Sequence, residues 1–253
     1  MSNDAVGAVF LIKSKVIEGG SIQSQVYREL REDIIQARFN PGEVISIRKE
    51  AARLGTSPMP VRESFKQLVS DNALEVLPNK SFRLPILNAE RTLDIYRLRV
   101  LLEGNAVALS TQNITAADIA MLKRITNKVT AAQANKDIEN MAALNREFHF
   151  VLYQRCGSDL LIQFIESLWM QFSPTLAYAY RTLFKLGDGS QFLSWESHAE
   201  ILQAVEVKDS KAAKKALEKD LTGFYNKRKW WLRDETESTK GHFNNWGRSN
   251  YPG

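Results

Sequence analysis

The sequence predicts a mainly α chain in two parts: an N-terminal winged helix-turn-helix over residues 21–85, then a C-terminal all-α antiparallel helical bundle over residues 90–233. Three observations predict it. Apolar residues recur at helical spacing through most of the chain. The convincing strand-like pieces are two short runs lying just before Pro85. The breakers Asn40-Pro41-Gly42, Gly55 and Pro78-Asn79 fall between the first periodic segments. Residues 1–20 end in Glu18-Gly19-Gly20 and are expected to form a flexible arm. The polar, Gly- and Asn-rich stretch 234–253 is expected to be a disordered tail.

Taken in order, Ser21 is a good N-cap, and Val26, Leu30, Ile34 and Ile35 keep one helical face apolar to about Ala37. A short helix at about Ile47–Leu54 turns Ala51 and Leu54 inward and stops at Gly55. Thr56-Ser57 offers a new N-cap for a helix from Pro58 or Met59 to Asp71, with Val61, Phe65, Leu68 and Val69 buried. The β-prone pieces Leu74–Leu77 and Phe82–Leu84 are joined by Pro78-Asn79-Lys80-Ser81, a hairpin turn. Six amphipathic helices follow, near 90–110, 115–134, 137–155, 158–185, 190–207 and 209–232, and Pro174 is expected to end or kink the fourth.

Composition narrows the function classes. With 253 residues and 44% hydrophobic content, the chain can bury two cores. Its formal net charge of +5 fits a polyanionic partner. Residues 20–85, however, hold ten Lys/Arg against eight Asp/Glu, so DNA contact must come from where the charges sit. The single Cys156 excludes an intramolecular disulfide and a thiolate metal cluster, and suits a reducing cytosol. No apolar run approaches the roughly 20 residues of a membrane span, and the N-terminus lacks a signal-peptide pattern. A cytoplasmic location without membrane contact is expected.

In a helix-turn-helix the second helix enters the major groove while the first braces it across the backbone. The candidates for groove and backbone contact are Thr56, Ser57, Met59, Arg62 and Lys66 on the second helix and its approach. Arg62 shares a face with Met59 and Lys66, and a long Arg there suits guanine O6/N7. Arg48 and Lys49 open the preceding helix, within reach of phosphates. Asn79, Lys80 and Arg83 sit on the hairpin, where a wing meets DNA. The alternative for each residue singly is an ordinary solvated charge.

These residues carry a family resemblance. Pro41-Gly42-Glu43-Val44-Ile45, Arg48, Leu54-Gly55-Thr56-Ser57 and Pro60-Val61-Arg62-Glu63-Ser64 resemble the N-terminal domain of GntR superfamily regulators, and the match spans about residues 21–85. The resemblance implies a double-stranded DNA operator as partner, contacted by Arg48 and Arg62. Two departures stand out. Pro58 occupies the family's Arg position after the turn Ser, and the wing tip has Asn79-Lys80-Ser81 in place of the usual Gly.

In the second part the chemistry-bearing residues are sparse. Asn145 and His149, four apart, share one helix face, His198 lies on a later helix and Asp220 on the last. Four such groups on three helices can converge inside a bundle as a metal site. The alternative is a buried His satisfied by a carboxylate. The motifs Arg99-x-x-Leu102-Glu103, Asn145-x-x-Phe148-His149, Ser197-His198-x-x-Ile201-Leu202 and Asp220-Leu221 resemble, over 91–221, the ligand-binding FCD domain of the FadR subfamily.

Metal-binding members use one Asp and three His, at the positions of Asn145, His149, His198 and Asp220. Here the carboxylate has moved from one helix to another while the site's formal charge is kept. The resemblance implies a divalent metal, Zn, Ni or Mn by donor type, and a small carboxylate effector beside it. Arg99 is the expected ligand contact, with a salt bridge to Glu103 as its alternative, and Arg181 is a second candidate. Phe164, Trp169, Phe172 and Trp195 are expected in the core. The basic run from Lys208 to Arg233 is expected to be a solvated helix face, with Trp230-Trp231-Leu232 packing on the bundle or a partner subunit.

The function these features imply is a homodimeric, ligand-responsive transcription regulator, a repressor in the leading expectation. The alternatives are a metal-dependent helical-bundle enzyme using His149, His198 and Asp220, and a regulator with a metal-free apolar pocket for an acyl group.

Overall fold

The computed structural model describes residues 20–135, 137–185 and 196–234, without the side chains of 138, 183–185 and 224–234. The expectations for the N-terminal arm, the C-terminal tail, Trp195 and the packing of Trp230-Trp231-Leu232 lie outside the described residues.

The N-terminal part contains α1 (Ile22–Ile35), β1 (Val44–Ile45), α2 (Ile47–Arg53), α3 (Pro58–Ser70), β2 (Glu75–Val76) and β3 (Phe82–Arg83). Ser21 caps α1 by accepting from the amide of Ser24. Gly55, at φ 63°, ends α2, and the next amide, of Thr56, reverses onto the carbonyl of Ala51 at 2.9 Å. A side chain would be strained in that left-handed conformation. Val26, Leu30, Ile34, Val61, Phe65, Leu68 and Phe82 form the core, where Phe65 meets Phe82 edge-on at 5.1 Å between centroids.

The strands pair antiparallel in the order β1-β3-β2, with Ile45 opposite Phe82 and Val76 opposite Phe82 on the other side. β1 was not foreseen. Two residues are too few for alternation to show, and its pairing with β3 is what makes it a strand.

The second part stacks α4 (Ala89–Asn113), α5 (Ala116–Ala134), α6 (Ile138–Tyr153), α7 (Asp159–Lys185), α8 (Glu196–Glu206) and α9 (Ser210–Asp234). Asn88 caps α4, and Thr115 with Asp118 forms a full capping box on α5. α9 lies along α4 and α8, and α5 along α6. Phe148, Leu152, Tyr153, Ile165, Trp169, Phe172, Ile201 and Leu217 fill the centre.

Two expectations need correction. α7 does not end at Pro174, and the residues on both sides of it are helical. Proline removes one backbone bond there, but the residues from Leu168 to Ala177, Gln171 apart, are buried, and that packing holds the helix across the gap. Phe164 is not in the core; it is 56% exposed on the outer side of α7.

Candidate functional sites

α3 separates its faces cleanly. Val61, Ser64, Phe65 and Leu68 are buried, while Ser57, Met59, Arg62 and Lys66 face solvent. Ser57 stands at the N-cap without a side-chain capping bond, so its hydroxyl is not committed to the helix. Lys66 pairs with Glu63 on its own helix at 2.9 Å. Arg48 and Lys49 are exposed at the start of α2, and Thr56 is half-buried in the turn.

On the hairpin, Asn79 and Lys80 are both exposed. The Asn79 side-chain oxygen accepts from the Ser81 amide at 3.0 Å and its hydroxyl at 2.6 Å. Lys80 sits at φ 61°, the left-handed conformation that glycine favours in a tight turn. Asn79 thus serves the turn that lifts Lys80 to the tip. Arg83 is tied down: it is buried and donates to Glu75 at 2.7 Å.

The second site is buried among α4, α6, α7, α8 and α9. His149 Nε2 lies 3.3 Å from one Asp220 oxygen, and His198 Nε2 lies 3.8 Å from the other. One donor atom from each residue falls within 4.8 Å of the others. Asn145 is buried one turn before His149 on α6. Both imidazoles are almost fully enclosed; Phe148 stacks on His198 at 4.1 Å.

A hydrogen-bond chain orients the ring of His149. Glu103 accepts the Tyr153 hydroxyl at 2.6 Å, so that hydroxyl must in turn accept from His149 Nδ1 at 3.0 Å. Nδ1 is therefore the donor to Tyr153, which aims Nε2 at Asp220, the orientation that outer hydrogen bonds give a metal-ligating imidazole. Burial pushes the His198 pKa down to about 3, against the attraction of Asp220, so the ring stays neutral, as a ligand must be. For Asp220, burial raises the pKa, but the neighbouring imidazoles of His198 and His149 and the charge of Arg99 together hold it below the usual carboxylate range.

Arg99 shares this pocket of polarity. Its Nε and Nη2 donate to the two Glu103 oxygens at 2.6 and 3.2 Å, and its guanidinium lies 4.4 Å over the Trp169 ring and 4.8 Å over Phe172. Nη1 has no hydrogen bond among the described residues. Neither has the buried indole N–H of Trp169. Glu103, Tyr153 and Trp169 were not singled out from the sequence as site residues. The Arg99-x-x-x-Glu103 and His149-x-x-x-Tyr153 spacings, each one helical turn, were the available signal.

Both parts match known families. Residues 22–84 match "Bacterial regulatory proteins, gntR family", and residues 94–223 match the FCD domain. The chain belongs to the GntR family of transcription regulators, in its FCD-containing branch. The regulator McbR of Escherichia coli K12 is 35% identical over 163 residues, spanning 64% of this chain and 74% of the relative. The transcriptional repressor GlaR of the same strain is 28% identical over 147 residues, 56% of this chain and 67% of that protein. The solved structure of E. coli McbR/YncC superposes with a TM-score of 0.74 at 30% identity, over 85% of this chain and 99% of the other. These are regulators, not enzymes.

In this GntR-family regulator, α7 belongs to both halves. Trp169 and Phe172 face Arg99, while Met170 packs into the core of the DNA-binding half. Arg31 on α1 donates to Glu166 on α7 at 2.7 Å. Arg146 on α6 grips both oxygens of Glu32 at 2.7 and 3.3 Å. Arg181, expected beside the ligand, is placed between the halves instead: it donates to Glu139 at 3.1 Å, to Asn40 at 3.0 Å and to the Ala37 carbonyl at 3.2 Å. Its neighbour Tyr180 is buried, and that burial together with the charge of Asp220 raises its hydroxyl pKa. Successive residues of α7 thus address the buried site and the end of α1.

Proposed function

We propose that this regulator is a homodimeric repressor, acting on operator DNA in the cytoplasm, whose FCD half binds a small organic acid beside a divalent cation and so changes operator affinity. The observation that carries the reading is the meeting of His149, His198 and Asp220 donor atoms from three helices within 4.8 Å. These donors suit the cation. His149 Nε2, His198 Nε2 and an Asp220 oxygen would hold it, with Asn145 as the fourth candidate, and this N/O set suits Zn, Ni or Mn. A bound cation would supply open coordination positions for a carboxylate.

The chain's own residues do the rest. Glu103 and Tyr153 fix the ring of His149, and the Glu103 pairing neutralises Arg99 while leaving Nη1 to bind an anionic oxygen. The Trp169 N–H offers a second donor. Such a polar cluster speaks against a pocket for an acyl chain. Occupancy would reach DNA through α7, because the residues beside the site stand next to Met170 and Arg181, which grip the DNA-binding half. Paired half-sites support the homodimer, and the repressor sign follows the relative named a repressor.

A thermal-shift screen of small organic acids, with and without Zn, Ni or Mn, tests this on protein purified without a His tag. The expected result is a class of acids that raises the melting temperature only when metal is present, and not in Asp220→Ala. Substoichiometric metal by elemental analysis after incubation with Zn or Ni, together with no stabilising acid, would overturn the reading.

A further inference from the structure

The tip of α3 is unlike the rest of its solvent face. Pro58, Met59 and Pro60 follow the N-cap Ser57, and proline carries no N–H. Among positions 57–60, whose amides have no partner within a helix, only Ser57 and Met59 can donate. The tip offers phosphates and base acceptors half the usual backbone donors, and none of these three side chains adds one. What it presents instead is Met59, 64% exposed, on the same face as Arg62 and Lys66 and opposite the buried Val61, Phe65 and Leu68.

An exposed methionine on a groove-facing helix has one matching feature in duplex DNA. In the major groove the base edges present donors and acceptors except at thymine, whose 5-methyl group is apolar. We infer that Met59 reads a thymine 5-methyl group in the operator, one helical turn from the base pair that Arg62 addresses. This rests on the DNA-binding assignment and goes beyond it by naming the group read. The two prolines hold the backbone on either side of Met59, while its unbranched thioether adapts to the methyl surface. Arg62 supplies the polar contact and Met59 an apolar one, so the recognised step joins a hydrogen-bonded base pair to a thymine.

The test uses the full-length protein and a duplex chosen by selection from a random library. Each thymine of that duplex is then replaced singly by deoxyuridine, which removes only the methyl group. One thymine per half-site is expected to cost about fourfold in affinity when so replaced, the value of one buried methyl-sized group. Met59→Ala should bind the thymine and deoxyuridine duplexes alike, while Arg62→Ala should bind both more weakly and keep their ratio. The inference is overturned if every deoxyuridine duplex binds as the parent does, or if Met59→Ala keeps the discrimination. A selection that enriches no duplex would instead overturn the DNA-binding assignment, and the inference with it.

Discussion

The two candidate sites of this regulator place their polar side chains in opposite ways. In the DNA-binding half, Arg48, Lys49, Arg62, Lys66 and Lys80 stand in solvent, and the ion pair among them is local, Lys66 with Glu63. In the FCD half, Arg99, Glu103, His149 and His198 are closed off from water and joined to one another or to Asp220. Exposed charges cost the fold nothing and leave their donors free for phosphates and bases. Buried charges are tolerated only as a network, because each group depends on its partner. One half is built to be completed by DNA; the other is largely completed internally, with the Trp169 indole N–H left without a hydrogen bond among the described residues.

The largest effect should come from breaking that network. Glu103→Ala leaves Arg99 buried without its counter-charge and should cost about 3–5 kcal/mol of unfolding free energy, measured by denaturant titration. Replacing both residues with apolar ones of similar volume should recover much of it. A single-mutant loss below about 1 kcal/mol would mean the cluster is wetter than its burial indicates.

The converse holds on α3. Arg62→Ala should leave stability within about 0.5 kcal/mol of wild type while costing about 1–3 kcal/mol of operator binding, measured by fluorescence anisotropy. A stability loss as large as that of Glu103→Ala would erase the contrast between the halves.

A third prediction follows from His198. Folding lowers its pKa to about 3, against about 6.5 for the free side chain. The unfolded chain therefore binds a proton that the native protein refuses, and the contribution of the neutral ring is full above pH about 6.5 and lost progressively as pH falls toward 3. Melting temperature between pH 7.5 and 4.5 should fall more steeply in wild type than in His198→Gln. Equal slopes would remove His198 from the account.

The contacts between the halves should contribute far less to stability than the buried network. Arg146→Ala and Arg181→Ala should each cost about 1 kcal/mol or less, since these pairs are partly exposed. Their larger consequence should be a weaker dependence of operator affinity on effector.

Much of the fold was legible because each helix carries its own apolar period and its own stop. Gly55, the Asn40-Pro41-Gly42 turn and the Ser21 cap act within a few residues, where a sequence can be read locally. β1 was not legible, since it owes its existence to a partner strand some forty residues away. The continuation of the helix past Pro174 had the same cause, as packing outweighed a local rule. At the buried site, the Asn145–His149 spacing was visible, and so was the Arg99–Glu103 pairing. The position of Arg181 was not: nothing near it in the chain says that its guanidinium reaches the end of α1, 141 positions away from Asn40. Long flexible side chains find partners through the tertiary fold, and periodicity carries no record of them.

The central claim is that occupancy of the buried site changes how the exposed one binds DNA. The most direct measurement is the operator dissociation constant with and without an acid found by the thermal-shift screen, on metal-loaded wild type and on Asp220→Ala. The account predicts a change of about 5- to 150-fold in wild type, the usual range of such coupling, and none in Asp220→Ala. An acid that stabilises the wild-type protein yet leaves its operator affinity unchanged would contradict it.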